Sequence, residues 1–195
     1  MHNNSLAPWR SQLSRALHHN RSLANSRYFQ LATVNKNGRP TNRTVVFRGF
    51  FNQTNQIQIV TDSRSEKIEH IQHQPWGEIC WYFPKTREQF RLSGQLVVVD
   101  KHHLSLQNAR QTAWQNLSDG ARLQFFWPHP KKERYQDKED FTADCLNSNQ
   151  PVDNFILLLL EPELVDILQL KGEPQDRYLY ALQENGNWST KEVNP

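Results

Sequence analysis

The sequence predicts a mainly β protein in which six to eight antiparallel strands form a closed or partly closed barrel, flanked by three or four helices. Short apolar stretches alternate with turn signals such as NKNG at 35–38, and an Asn-Gly step is typical of a hairpin. Spacings of three and four residues between apolar positions are confined to a few segments, which indicates few helices. Successive hairpins leave exposed strand edges, and closing the sheet into a barrel covers them.

Composition sets the size of the protein and the kind of ligand to expect. The 195 residues predict a single domain spanning 1–195, large enough to bury a core. Aromatic residues make up 11% of the chain, so we expect large rings to do much of the burying. The net charge of +3 is too small to indicate nucleic acid as a partner, but it is compatible with a small anionic ligand.

The cysteines and the apolar runs indicate the compartment. Cys80 and Cys145 are the two cysteines, and they form neither a metal-ligand spacing nor a disulfide framework. Cys80 lies in a strand-like run and is expected to be buried. The N-terminal residues have no signal-peptide pattern, and the aliphatic run 155–160 is too short to span a bilayer. We therefore expect a reduced, cytoplasmic protein with no membrane partner.

The histidines and tryptophans are two further sets of potential ligand-binding residues. His70 and His73 are three residues apart on a predicted helix, but no third ligand is visible, so no metal site is expected. Four tryptophans are expected in the core or at a dimer interface rather than on a base-stacking platform: Trp76, Trp81, Trp114 and Trp127. The mixed charges of 131–140 are expected to form a solvated loop.

The first half of the chain predicts a helix followed by three strands. Trp9, Leu13 and Leu17 recur at helical spacing, and a proline in the first turn suits a helix from 8 to about 20. Strands are predicted at 28–34, around 43–48, and at 57–61.

A capped helix is predicted directly after the third strand. Ser63 and Glu66 have the spacing of a capping box, and Pro75 lies just beyond the expected end of the helix. The elements predicted after this helix are strands at 77–83, 87–100, 154–162, 164–170 and 177–183, helices at 104–116 and 118–126, and a final segment at Trp188.

The start of this helix is a candidate phosphate site. A helix that begins at Ser63 offers free backbone N–H groups and the positive end of its dipole. Ser65 adds a hydroxyl and Lys67 adds a cation in the first turn. A lysine there is mildly unfavourable by the dipole argument alone, and a bound anion would reverse the sign. The alternative is a surface helix with an incidental lysine.

An arginine stands at each end of the apolar strand 43–48. Strand alternation places Arg43 and Arg48 on opposite faces, so they are not expected to grip the same group. If Arg43 faces the helix start, it can bind a phosphate together with Lys67. The alternative is that both arginines are solvated charges at strand ends.

Four motifs occur in order along the chain: RTVVFR (43–48), VTDSRSEK (60–67), REQFRLSG (87–94), and DRYLY (176–180) followed by Trp188. Together they resemble segments of the pyridoxamine 5'-phosphate oxidase superfamily of FMN-binding split barrels, in particular a branch named only as related FMN-binding proteins. AWQNLSDGAR (113–122) is a looser match to a loop that approaches FMN from the partner subunit.

The resemblance implies an antiparallel split β-barrel with FMN as its cofactor. It assigns Arg43 and Lys67 to the phosphate as cations, with Thr61 and Ser65 as hydroxyl donors. Gln89 would contact the pyrimidine edge of the flavin. The full set of cofactor-binding residues that it implies is Arg43, Thr44, Val45, Val46, Arg48, Val60, Thr61, Ser65, Lys67, Gln89 and Arg177.

The resemblance also implies a homodimer, because FMN in this superfamily usually lies between two subunits. The strand 43–48 suits FMN, since a cation at its start matches the phosphate and its apolar residues match the ring. No catalytic side chain is assigned, because the flavin carries the two-electron chemistry.

The stretch KGEPQDR at 171–177 departs from the family pattern. True pyridoxamine 5'-phosphate oxidases carry an Arg-x-His there, where this chain has Glu173 and Gln175. An acidic residue would repel a phosphorylated substrate. We therefore expect an FMN-dependent oxidoreductase that acts on some other small molecule. The alternative is a flavin- or haem-binding carrier of the same fold without turnover.

Overall fold

A computed structural model describes residues 6–134, 141 and 149–195, so Cys145 lies outside the described residues. The described part contains eight strands and four α-helices. In chain order these are α1 (Pro8–Asn20), β1 (Tyr28–Val34), β2 (Pro40–Val46), β3 (Ile57–Asp62), α2 (Glu66–His73), β4 (Trp76–Phe83), β5 (Glu88–Val99), α3 (Gln107–Gln115), α4 (Asp119–Leu123), β6 (Phe155–Gln169), β7 (Asp176–Leu182) and β8 (Trp188–Val193). Short 3₁₀ turns follow α1 and α4, at Ala24–Arg27 and Gln124–Phe126.

The strands form one antiparallel sheet that closes into a barrel. Its order is β2-β1-β4-β5-β6-β7-β8, and β3 also pairs with β6. Between β2 and β3, Arg48 N–H donates to Gln58 O and Gln58 N–H donates to Gly49 O, both at 2.9 Å. These two bonds connect the edges of a six-stranded barrel, so the predicted mainly β barrel is confirmed.

The barrel is split because β6 has two partners along the same edge. Its first half, Phe155–Leu160, pairs with β3, and its second half, Leu164–Gln169, pairs with β7. The register against β5 shifts at Gly94, where an added Cβ would lie 1.9 Å from Glu161 O. Backbone approaches this close require glycine. The sequence predicted two strands here, which was wrong, because β5 pairs along both halves and β6 bends without breaking.

Both faces of the first half of β6 are covered, which explains its unbroken apolar run. Leu158 and Leu160 pack into the barrel core with Trp9 and Trp81. Phe155, Leu157 and Leu159 instead pack with α3 around Trp114. A strand buried on both faces loses the alternation of polar and apolar residues.

Aromatic residues fill much of the core, as predicted from composition. Trp81 packs against Phe29, Phe47 and Phe83 at ring-centroid distances of 5.0, 5.1 and 5.0 Å. Trp81 and Trp114 are fully buried, which confirms the core position for these two. Trp76 and Trp127 are 39% and 36% exposed, and for them the dimer interface stays a prediction.

Cys80 is half-buried rather than buried, because its neighbours in β4, Ile79 and Trp81, take the inward positions. Helix α3 begins later than predicted, and Leu104 before it is fully exposed. Within the described ranges, no helix combines the length and apolar character needed to cross a bilayer.

Candidate functional site

A cleft of about 550 Å³ opens beside β2 and β3, with the segment 124–134 as its opposite wall. An adjoining cavity of about 560 Å³ shares Lys67 with it and reaches the start of α2. The predicted residues that line the cleft are Thr44, Val45, Val46, Arg48, Val60, Thr61 and Lys67. Arg43 and Ser65 line the adjoining cavity. The structure thus brings together all the predicted site residues except Gln89 and Arg177.

Lys67 provides a partly buried cation where the two cavities meet. Its Nζ donates to Thr61 Oγ1 at 2.9 Å and to Ser65 Oγ at 2.5 Å. Burial, and after it repulsion by the Arg43 cation, lowers the pKa of Lys67 to about 8. Both hydroxyl partners are neutral, and an ammonium group has three donors. Lys67 therefore retains a donor for a bound anion.

Helix α2 begins at Glu66 and not at Ser63 as predicted, and its N-cap is Ser65. The reason is a turn in the residues before it: Ser65 N–H donates to Asp62 O at 3.1 Å, and Arg64 N–H donates to Asp62 Oδ1 at 2.8 Å. The Ser65 side chain does not cap the helix; it accepts from Lys67 instead. The capping box was a misleading signal, because Asp62 competes for the same backbone.

Arg43 is held by a buried set of polar groups that the sequence analysis missed. Its guanidinium donates to Leu31 O at 3.0 Å and to the hydroxyls of Thr33 and Thr41, both at 2.7 Å. The same hydroxyls lie 3.1 and 3.3 Å from His70 Nδ1. The signal available in the sequence was the cross-strand pair Thr33–Thr41 in the first hairpin. Arg43 is therefore a pre-oriented cation.

Arg48 lies on the opposite face of the strand from Arg43, as alternation predicted. Phe47 between them is buried, while Arg48 is exposed and lines the cleft. Burial lowers the pKa of Arg48, and the nearby Arg27 cation adds to the effect. Of the two alternatives, a solvated strand end describes Arg48 in part, whereas Arg43 is half-buried and hydrogen-bonded to polar partners.

The solvated loop was predicted at 131–140, of which 135–140 lie outside the described residues. The segment 128–134 forms one wall of the cleft. It is attached near Arg64, which donates to Trp127 O at 3.1 Å and pairs with Asp62 at 2.7 Å. Lys131 forms an ion pair with Glu66 in the first turn of α2. The mixed charges gave no sign of this placement, because it depends on tertiary contacts.

Gln89 and Arg177 lie on the outer face of the sheet, away from the cleft. Gln89 is paired with Leu168, which is paired with Arg177. Through β6, strand β5 is two strands from β3, and β7 pairs with the other half of β6. Neither Gln89 nor Arg177 lines the cleft or the adjoining cavity. A single chain does not bring either residue to its own cleft.

Two other sets of residues make contacts within the fold. Ser118, in the loosely matching stretch 113–122, caps α4 by accepting from Ala121 N–H at 3.4 Å. In the described part of the chain, no group of three His, Cys, Asp or Glu side chains is placed to hold a metal ion. His70 contacts the threonines beside Arg43 instead.

The lowered pKa of Lys67 predicts how stability depends on pH. Its folded pKa of about 8 lies below the ordinary 10.5, so between these values the unfolded chain binds more protons and folding stability rises with pH. Urea unfolding at about pH 7 and about pH 10 should show wild type gaining roughly 2 kcal/mol relative to Lys67→Met. The matched control is Lys36→Met, because the Lys36 side chain is 69% exposed. If wild type gains no more stability relative to Lys67→Met than relative to Lys36→Met, the burial of a charged Lys67 is contradicted.

Comparisons with known proteins agree with this geometry. The family profile described as "Pyridoxamine 5'-phosphate oxidase, FMN-binding domain" matches residues 6–100. A curated relative from Arabidopsis thaliana, "Pyridoxine/pyridoxamine 5'-phosphate oxidase 2", is 42% identical over 197 residues, which cover 97% of this chain and 98% of the relative.

Solved structures show the same similarity. A crystal structure of a pyridoxamine 5'-phosphate oxidase-related, FMN-binding protein from Nostoc punctiforme is 54% identical, with a TM-score of 0.94, covering 98% of this chain and 100% of that one. A crystal structure of PhzG from Burkholderia lata is 20% identical with a TM-score of 0.80, and the match covers 99% of this chain and 95% of PhzG. The two proteins share the fold. The chain belongs to the pyridoxamine 5'-phosphate oxidase family of FMN-binding split-barrel proteins.

Proposed function

We propose that this chain binds FMN in the cleft beside β2 and β3 and acts as an FMN-dependent oxidoreductase on a small-molecule substrate. The observation that supports this most is the pair of cations, Arg43 and Lys67, at one end of a cleft with an apolar wall. The family to which the chain belongs has an FMN-binding domain. When bound, FMN supplies the two-electron chemistry, and the protein positions it and controls access.

The donors at the start of α2 fit a phosphate dianion. Lys67 retains a free N–H. Arg43 donates from two of its nitrogens to hydroxyl and carbonyl oxygens, and these neutral acceptors do not balance its charge. The pKa of Lys67 is lowered partly by Arg43, which means that two cations repel each other there. A phosphate between them would remove this repulsion and form charge-assisted hydrogen bonds.

The rest of the cleft fits the flavin ring. Val45, Val46 and Val60 supply an apolar surface on the strand side, and Phe125 and Trp127 lie in the opposite wall. Burial of a flat, mainly apolar ring against such surfaces is favourable. Arg48 lies at the cleft on the opposite strand face from Arg43, where we assign it to the flavin or to an anionic substrate. We assign no side chain to proton transfer.

A homodimer is part of the proposal, because the outer sheet face holds the remaining flavin-contacting candidates. This face also exposes large apolar side chains, with Tyr28 at 47%, Tyr82 at 48% and Leu179 at 38% exposure. A two-fold contact would place this face of each copy against the cleft of the other. Gln89 and Arg177 would then contact the flavin held by the partner.

The anchor assignment predicts the effect of removing either cation. Arg43→Ala and Lys67→Ala should each weaken FMN binding by about 1.5–3 kcal/mol, because each removes a charge-assisted hydrogen bond. Fluorescence titration of FMN measures the affinity, with Lys36→Ala as the control for loss of an exposed lysine. If both variants bind FMN as tightly as wild type, the phosphate site is assigned wrongly.

A wild-type protein that stays colourless after incubation with FMN and desalting would overturn the proposed cofactor role. A haem-like absorbance band would favour the carrier alternative.

A shared site predicts complementation between two defective variants. Arg43→Ala/Lys67→Ala damages the cleft, and Gln89→Ala/Arg177→Ala damages the outer face. Random mixing of the two should restore about one quarter of the sites, because half of the dimers are mixed and each has one intact site. The FMN retained after desalting gives the stoichiometry, and sedimentation confirms that each variant is dimeric. No recovery in mixed dimers would contradict a site shared between the two subunits.

The sequence at 171–177 predicts that the chain does not oxidise pyridoxamine 5'-phosphate, although its Arabidopsis relative is named as such an oxidase. Oxygen uptake by FMN-loaded protein should stay at the no-substrate rate, because Glu173 repels the phosphorylated substrate. The double change Glu173→Arg with Gln175→His restores the family pattern, and it should raise the rate if this departure is decisive. Rapid wild-type turnover would show that the substrate site is retained.

The cytoplasmic location expected from the cysteine content also stays a prediction.

A further inference from the structure

Four charged side chains form a continuous row across the outer face of the sheet. Arg91 on β5 donates to Glu78 on β4 at 2.8 Å and lies 3.5 Å from Asp166 on β6. Asp166 in turn accepts from Arg177 on β7, at 3.0 Å from Nε and 2.6 Å from Nη2. The signs alternate along the row, so each charge has an opposite neighbour.

Asp166 is the central member and holds Arg177 with both of its oxygens. Oδ1 accepts from Nε and Oδ2 accepts from Nη2, which is the two-point geometry of a carboxylate with a guanidinium. This pairing occupies one edge of the guanidinium and leaves Nη1 and the outer N–H of Nη2 for another acceptor. The Asp166 side chain is 17% exposed and that of Arg177 is 31% exposed, so Arg177 is the more accessible of the two.

From this arrangement we propose that Asp166 is a positioning residue, which fixes the guanidinium of Arg177 so that its free edge faces the flavin bound by a second copy of the chain. The inference rests on the proposed function. Arg91 supports Asp166 from the other side, through the same Oδ2 atom that accepts from Arg177 Nη2. An arginine has many rotamers, and a side chain already ordered before binding loses less freedom when it meets its ligand.

The row has a second property that suits an interface. Its two carboxylates and two guanidinium groups sum to zero charge. Covering an unpaired charge with a second subunit would be costly, whereas a paired and hydrogen-bonded row can be covered at lower cost. Exposed ion pairs by themselves add little to stability, so we attribute to this row the orientation of Arg177 more than the stability of the fold.

The test is a double-mutant cycle on FMN binding with Asp166→Asn and Arg177→Ala. If Asp166 acts through Arg177, Asp166→Asn should weaken FMN binding roughly three- to tenfold, and it should add nothing in the Arg177→Ala background. The matched control is Asp176→Asn. Asp176 is adjacent to Arg177 in sequence but lies on the opposite face of β7, so this change removes a carboxylate that does not hold the guanidinium. Asp166→Glu, which keeps the carboxylate, should recover part of the loss.

A readout that a purely structural role would not change is the midpoint potential of bound FMN. In Asp166→Asn the Arg177 cation is no longer held at the flavin, so the potential should fall, and this fall should be absent when Arg177 is alanine. Direct loss of the Asp166 charge would instead raise the potential in both backgrounds. Equal losses from Asp166→Asn in both backgrounds, or no loss in either, would overturn the positioning role. So would unchanged binding in Arg177→Ala alone. These outcomes leave the proposed cofactor role standing, whereas wild-type protein that fails to bind FMN overturns both.

Discussion

The fold depends on how one long strand divides its edge between two partners. The first half of β6 pairs with β3 and the second half with β7, and the transition lies where Gly94 meets the backbone of Glu161. The first pairing brings β3 against β2 and so creates the cleft. The second extends the sheet outward and places Arg177 on the outer face. Both halves of the proposed cofactor site therefore originate from the same bend.

The two groups of charges in this molecule are arranged in opposite ways. At the start of α2, Arg43 and Lys67 are like charges held close together, and burial adds to the cost of keeping them ionised. On the outer face, Arg91 and Arg177 alternate with carboxylates. The first arrangement is stabilised by an added anion, whereas the second is balanced without one. This contrast agrees with a phosphate bound at the helix start and with a protein surface packed over the row.

Much of the fold could be predicted from the sequence, because alternation and turn residues act locally. The first hairpin and the inward positions of β5, with Phe90 and Leu92 buried, follow from a period of two. The start of α2 was misplaced, because the Asp62 side chain and carbonyl capture the backbone that a capping box would use. The bend of β6 was read as a break, since proximity to Gly94 is a tertiary property.

The candidate site, like the fold, could be predicted from the sequence only in part. Spacing alone left open whether Arg43 faces the start of α2, and the resemblance of the motifs predicted that Arg43 and Lys67 come together. Both residues line the same cavity. Thr33 was missed as a partner of Arg43, and His70 was missed as a neighbour of Thr33, because nothing in one sequence shows which helix face meets which hairpin. Gln89 and Arg177 matched family motifs, yet the tertiary structure places both outside the lining of the cleft.

The doubly covered half of β6 has a consequence for how this chain reaches its native state. Its six residues from Phe155 to Leu160 are uncharged and fully buried. Until the barrel covers one face and α3 the other, this segment has the composition that favours intermolecular β-aggregation. Asp153 and Glu161 flank it with negative charge, as gatekeeper residues do. The strand that organises the fold is thus also a misfolding hazard, and its charged flanks limit that hazard before the barrel has formed.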